Sequence, residues 1–242
     1  MDLRGISSTD IFIPTGQQAD LESLANGALS KGIDLYMRQD YEGAIKEFRR
    51  SIGLAPNSSY STDASTYMAN AYLAMGDSDG AVKAYEDALK RSPNRDDIYI
   101  SLGNIHFSQD QYDEAVKAYE KAVKIYSSSD NHYALGQAYL NAERYSEADR
   151  EFNTVLRMEP DKPAGYYGLG LNFSKQGRYE DAILQFKEAI RVDSKFYDGY
   201  AELGYAYESS LPDILCALES GRVVVVDTTL MTELEQFLLL TR

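Results

Sequence analysis

Cysteine is almost missing from this 242-residue chain. Cys216 stands alone, so neither an internal disulfide framework nor a cysteine-based zinc site can be built. Tryptophan is absent, and the two histidines, His106 and His132, sit in no HxxxH or HExxH spacing, which removes the usual helical zinc arrangement. Basic residues are scarce: 24 Lys+Arg face 38 Asp+Glu, a formal net charge of −14. So anionic a surface repels phosphate backbones and acidic membranes, which argues against sequence-independent nucleic-acid binding. No run of about 18 apolar residues occurs, so no membrane span is expected. The opening MDLRGISSTDIFIP lacks a cationic stretch followed by a long apolar one, so no secretory signal is expected and the cytoplasm is the expected compartment. A G-x-x-x-x-G-K-[ST] phosphate cradle is also missing.

What is present is a repeat. Apolar residues make up 44% of the chain and charged ones 26%, enough for a soluble globular core. Within that composition one octapeptide recurs: YEGAIKEF at Tyr41–Phe48, SDGAVKAY at Ser78–Tyr85, YDEAVKAY at Tyr112–Tyr119, YSEADREF at Tyr145–Phe152 and YEDAILQF at Tyr179–Phe186. Its alanines, Ala44, Ala81, Ala115, Ala148 and Ala182, are spaced by 37, 34, 33 and 34 residues. Twelve residues before each stands a small residue: Gly32, Ala69, Gly103, Gly136 and Gly170, with Gly204 continuing the series into an incomplete sixth copy.

Residues 26–209 thereby resemble the tetratricopeptide repeat family, whose unit is a helix-turn-helix of about 34 residues. The resemblance implies an all-α fold, a right-handed α-solenoid of five repeats plus the first helix of a sixth, spanning residues 25–209. In the third unit the two helices are expected at Asp97–Gln109 and Asp113–Tyr126. Small residues such as Gly103 and Ala115 let paired helices approach, because a larger side chain at the crossing overpacks at about 1–3 kcal/mol. Tyr72, His106, Tyr139 and Phe173, then Phe48, Tyr85, Tyr119, Phe152 and Phe186, are expected to fill the core, with His106 a buried packing histidine. Pro56, Pro93 and Pro160 end second helices. Ser127 and Ser194 replace that proline in two copies, where a less sharply defined end is expected.

Departures from the period carry further expectations. Three extra residues near Asn57–Ser61 should lengthen the link between the first two units, and one residue fewer around Ser127–Asp130 should tighten another. Residues 1–24 form a poorly ordered N-terminal segment in this reading, with Ile11-Phe12-Ile13 as an apolar island that straps the first repeat or is a chance cluster. Residues 210–242 are a non-repeat tail. Leu211-Pro212-Asp213 should break the sixth first helix, Gly199–Ser209, and a short helix Asp213–Ser220, a strand Val223–Val226 and an apolar helix Leu230–Leu240 should follow. The four valines and Asp227 weakly resemble the strand of P-loop motor ATPases of the translocase type. Packing against the last repeat, or an association surface, is the preferred reading of that tail.

Catalytic chemistry finds little material, and no cofactor or metal is expected. Carboxylates such as Asp113, Glu114, Glu180 and Asp181 lie in first turns of second helices, where they favour the positive end of the helix dipole. Function therefore falls to binding. In the family that the chain resembles, first helices line a concave groove that holds a partner peptide. Carried over position by position, this implies Leu29, Ile33 and Tyr36, then Thr66, Tyr67, Asn70 and Leu73. Ile100, Ser101, Asn104 and Phe107 follow, then Tyr133, Gln137, Leu140 and Asn141, then Tyr167 and Leu171, then Glu202 and Tyr205. Asn70, Asn104 and Gln137 occupy one equivalent position, and carboxamides there can pair with a peptide backbone whatever its side chains. Family members that clamp chaperone C-termini use Lys and Arg at these places. Ile33, Thr66, Asn70, Ser101 and Asn104 stand there instead, so a carboxylate clamp is not expected. A neutral aromatic-aliphatic groove in an anionic chain suits a protein partner, an extended or helical segment with apolar anchors and basic flanks. The reading is a non-catalytic scaffold or adaptor; the alternatives are a self-assembling structural scaffold, hence a homo-oligomer, and an ATPase fragment.

Overall fold

A computed structural model describes residues 15–219, and among them every regular element is an α-helix. The order is α1 (Thr15–Met37), α2 (Tyr41–Leu54), α3 (Ser59–Ala74), α4 (Ser78–Arg91), α5 (Asp96–Ser108) and α6 (Tyr112–Ile125). Then come α7 (Ser129–Asn141), α8 (Tyr145–Met158), α9 (Pro163–Lys175), α10 (Tyr179–Val192) and α11 (Tyr197–Glu219). The chain divides after Ala138 into two compact units. The first holds the hairpins α1–α2, α3–α4 and α5–α6, the second α8, the hairpin α9–α10 and α11.

The repeated alanines are what the sequence made them. Ala44, Ala81, Ala115, Ala148 and Ala182 are all fully buried, and the aromatics one turn later, from Phe48 to Phe186, are at most 3% exposed. Close approach at the crossings is literal. A methyl carbon on Gly32 would lie 2.5 Å from the Phe48 ring, and one on Gly103 or Gly170 would overlap the ring of Tyr119 or Phe186. Ala69 fills the same place with a fully buried methyl, so that crossing admits one carbon. Glycine is thus selected here by volume, since these residues are helical.

Conformation selects elsewhere. First helices close with a left-handed residue, Gln39 (φ 64°), Gly76 (80°), Asp110 (58°), Glu143 (58°) and Gly177 (72°), five residues before each repeated alanine. The next N–H reaches back to a carbonyl five residues earlier: Asp40 to Leu35 at 2.9 Å, Gln111 to His106 at 2.9 Å, Arg178 to Phe173 at 3.0 Å. This is the Schellman closure, which satisfies otherwise orphaned carbonyls. Asp40 and Asp77 then cap the second helix by accepting from the N–H of Gly43 (3.0 Å) and Gly80 (2.8 Å).

Several boundaries differ from the sequence reading. Helix α1 begins at Thr15, so residues 15–24, expected to be poorly ordered, are helical. The added stretch joins a helix that buries Ala25, Ala28 and Leu29 and whose Ala25 carbonyl accepts from the buried Ser51 hydroxyl at 2.8 Å. The three extra residues lengthen α3, 16 residues against 13 in α5 and α9, while the α2–α3 link keeps four residues like its neighbours. Ser61, Thr62 and Ser65 line the buried side of that extra turn; small side chains there let α3 lie against its neighbours, and Thr62 shares a 3.1 Å hydrogen bond with Ser92. The one-residue deletion does shorten the α6–α7 link, to three residues. Second helices α6 and α10 are as long as those ended by proline, 14 residues, because their backbone caps at Tyr126 and Asp193 form in the same way. Helix α11 runs through Pro212 without the expected break. Proline withdraws a single donor, which a helix of 23 residues can absorb. Ile11–Ile13, Val223–Val226 and Leu230–Leu240 lie outside the described residues.

His106 is half-buried rather than buried: its Nδ1 pairs with the Gln111 carboxamide at 2.7 Å on the exposed turn. In the second unit that first-helix position carries aromatics covered by guanidinium groups, Arg144 over Tyr139 at 4.6 Å and Arg178 over Phe173 at 4.4 Å.

Candidate interaction surface

In the first unit α1 packs beside α3, and helical spacing sets the expected binding residues of each first helix along one side of it. On α1, Ile33 packs into the core cluster around Phe48, while the Tyr36 ring meets Tyr41 at 5.6 Å and Tyr67 at 6.5 Å, edge to face. Tyr67 stacks on Phe48 at 6.0 Å and stays 36% exposed. Leu73, nearly two turns further along α3, is exposed, and Thr66, just before Tyr67, returns its hydroxyl to the Thr62 carbonyl at 3.0 Å. On α5, Ile100 and Ser101 are half-buried, with the Ser101 hydroxyl donating to the Asp97 carbonyl at 2.9 Å. Phe107 sits edge-on to Tyr112 at 5.4 Å.

Asn70 and Asn104 are held by side chains that the sequence reading did not connect to them. The Tyr85 hydroxyl donates to Asn70 Oδ1 at 2.5 Å, and the Tyr119 hydroxyl donates to Asn104 Oδ1 at 2.6 Å. Each tyrosine comes from the second helix of the same hairpin, and each carboxamide is thereby fixed with its oxygen turned inward and its Nδ2 group left to donate outward. Burial pushes both hydroxyls up, Tyr119 to about 12. A signal for this existed in the sequence: tyrosine occurs at the aromatic position only in the two hairpins with asparagine on the first helix. The other pairs are Ile33–Phe48, Gln137–Phe152 and Leu171–Phe186. Gln137 behaves differently from the two asparagines, since its Nε2 donates to the Tyr133 hydroxyl at 3.2 Å.

The second unit presents a face of its own. Tyr167 meets Phe196 edge-on at 5.0 Å and Phe186 at 5.9 Å, and burial, then the nearby carboxylates of Glu202 and Asp198, raise its pKa. Leu171 joins the cluster around Phe186 and, with Ser174, Lys175, Glu202 and the exposed Tyr205, borders a depression of about 310 Å³. Asn141 is half-buried at the end of α7. Among the described residues no group of three or more His, Cys, Asp or Glu is placed to hold a metal, and no helix is long and apolar enough to cross a membrane.

Paired helices with small residues at the crossings, a left-handed turn and a recurring buried alanine define the repeat, and the tetratricopeptide repeat model matches residues 68–130, 133–195 and 167–210. The chain belongs to the tetratricopeptide repeat family. Solved structures agree in fold. A tetratricopeptide repeat protein from Parabacteroides merdae superposes with a TM-score of 0.70 at 15% identity, over 81% of this chain and 80% of that one. MamA gives 0.64 at 19% identity, over 73% and 95%. YrrB, described as a tetratricopeptide repeat protein with an unusual peptide-binding site, gives 0.62 at 18% identity, over 72% and 89%. At such identities the likeness concerns the fold. No curated protein matches the sequence.

Proposed function

We propose that this tetratricopeptide repeat protein is a non-catalytic interaction scaffold that receives a segment of a protein partner on the odd-helix face. The observation that carries the reading is the common orientation of Asn70 and Asn104, two outward amide donors set in a row of aromatic and aliphatic side chains. Backbone-directed donors suit a chain in extended form, and the tyrosines and leucines around them offer apolar slots at low conformational cost. The peptide-binding site named in YrrB agrees with such a use of the fold. An excess of 14 negative charges favours basic residues flanking the bound segment.

Selection of peptides from a random displayed library, followed by titration of the best binders, tests the proposal. Asn104→Ala and Tyr133→Ala should each weaken binding by about tenfold, the worth of one hydrogen bond or aromatic contact, with the helical fold retained and the melt of Asn104→Ala lowered because the Tyr119 hydroxyl loses its partner. Unchanged affinity in both variants would remove this surface.

One observation favours self-assembly as a second reading. Gly204 stands where Gly32, Gly103 and Gly170 are covered by an aromatic ring, yet among the described residues a methyl carbon there would meet nothing within 4 Å. Tyr197 and Tyr200 on the same helix are 78% and 48% exposed. Growth in mass with concentration by light scattering supports assembly through that open helix; a constant monomer mass rejects it.

A further inference from the structure

Two residues after the small crossing residue, the later first helices bury an aliphatic side chain: Ala71, Ile105, Ala138 and Ala206 are at most 4% exposed. Asn172 holds that place on α9 and is 1% exposed. Its Nδ2 donates to the Tyr145 carbonyl at 3.1 Å, while among the described residues its Oδ1 has no hydrogen-bond partner. Tyr145 opens α8, so its carbonyl already serves as acceptor in that helix's first turn and has no need of the amide. A buried carboxamide with an idle oxygen costs stability that alanine would keep, which points to a use other than packing.

The surroundings show what that oxygen can accept. Asn172 borders a depression of about 360 Å³ at the first turn of α8, with Asp149, Phe173, Gln176 and Arg178 on its walls. Asp149 brings a half-buried carboxylate, whose Oδ2 takes a bond of 3.2 Å from the Asn153 amide. Gln176 spends its Nε2 on the Asn172 carbonyl at 2.9 Å, which leaves its Oε1 as the group to share. The one cation among the lining residues is occupied: the Arg178 guanidinium lies over the Phe173 ring at 4.4 Å and pairs with Asp181 at 2.8 Å. The walls thus offer acceptors, one of them charged, and no uncommitted positive charge. Asn172 is the deeply buried member of this set, and Gln176 and Arg178 are the exposed ones. Its oxygen therefore belongs to the floor, reached by a narrow group that displaces long side chains at the rim.

We propose that this depression binds a primary ammonium group on an unbranched chain, as a polyamine or a lysine side chain carries. Asn172 Oδ1 accepts one of its N–H groups, and the Asp149 carboxylate balances its charge. An ammonium has three donors and no acceptor, which matches walls that accept. Its compact tip also suits a single deep oxygen better than the wide guanidinium fork does. The site lies within the second unit and is independent of the asparagine pair in the first.

Calorimetric titration of the full chain at about 0.15 M salt, where diffuse attraction to an anionic surface is screened, tests this. The probes are spermidine, N-acetyl-lysine methylamide and the uncharged N-acetyl-norleucine methylamide. At least one amine should bind with a Kd of about 1 mM or tighter, and the norleucine compound should not bind. The tighter of the two amines identifies the source of the group. Asn172→Ala should fold, since alanine fills this place at Ala71, Ala138 and Ala206, and should weaken amine binding about tenfold. Asp149→Asn leaves the buried amide untouched and should weaken binding at least about as much. No binding by either amine, equal binding of the norleucine compound, or affinity unchanged in both variants overturns the site and leaves Asn172 Oδ1 to water alone. The binding face of the first unit stands in each of those cases.

Discussion

Hairpins α5–α6 and α9–α10 share one backbone plan and differ in what fills the crossing. In α9–α10 the contact is dry: Leu171 and Gly170 lie against the fully buried Phe186. In α5–α6 the corresponding ring, Tyr119, is as buried at 3% exposure but carries a hydroxyl that must find a partner, and Asn104 supplies it at 2.6 Å. The lesson is that the same packing position serves two ends. A phenylalanine closes the core and asks nothing of the surface; a tyrosine closes the core and also dictates the orientation of a surface amide. Hairpin α3–α4 repeats the polar version through Tyr85 and Asn70.

The contrast can be broken most strongly on its dry side. Phe186→Ala empties a fully buried position and should cost about 3–5 kcal/mol in chemical denaturation. A cost under about 1 kcal/mol would mean that the second unit does not depend on this crossing. On the polar side, Asn104→Leu strands the Tyr119 hydroxyl and should cost about 1–3 kcal/mol, whereas Asn104→Leu/Tyr119→Phe, which converts the hairpin to the dry type, should recover most of it. Additive losses in that cycle would deny the coupling.

Alkaline unfolding sharpens the same comparison. Tyr119 has its pKa raised by burial to about 12 from an ordinary value near 10, so folding favours the neutral phenol. Its contribution is complete below pH about 10 and is lost as pH rises toward about 12. Tyr119→Phe should flatten the stability profile in that window, and an unchanged slope would place the ionising group elsewhere. The smallest effect concerns the turns. Glu143 holds the left-handed position that Gly76 and Gly177 occupy elsewhere, so Glu143→Gly should raise stability by about 0.5–1 kcal/mol, seen as a higher melting temperature. A loss would show that side-chain contacts of Glu143 outweigh its backbone strain.

Much of this fold is written in short-range pattern. The spacing of Ala44 to Ala182 and of the small residues twelve positions earlier gives the hairpins and their buried faces, since helical period alone decides which residues share a side. Boundaries are written less plainly. Three added residues near Asn57 have the same sequence signature in a longer link or a longer helix, and only the packing of Ser61 and Ser65 against neighbouring helices settled for the helix. Pro212 reads as a stop because its local penalty is plain, while what carries α11 past it is not local. His106 shares the half-buried position of Tyr72 and Phe173, and its polar partner Gln111 belongs to the following turn, which the analogy with aromatics does not contain. The left-handed residues were legible only after alignment of the copies, where Gly76 and Gly177 fall in register with Gln39, Asp110 and Glu143.

The candidate surface divides in the same manner. Which residues lie on the first-helix face follows from periodicity, and with it the row of Asn70, Asn104 and Gln137. That two of these amides are locked while Gln137 turns to Tyr133 was decided by tertiary structure. Hydrogen bonds are directional and join residues 15 apart across a hairpin, so their existence depends on how two helices meet, which periodicity does not contain. The sequence alone set the helices, their buried stripes and the anionic surface, because each follows from the composition and order of neighbouring residues. Only the packed hairpins determined which way the amides point, because that requires a hydroxyl from one helix to reach an oxygen on another.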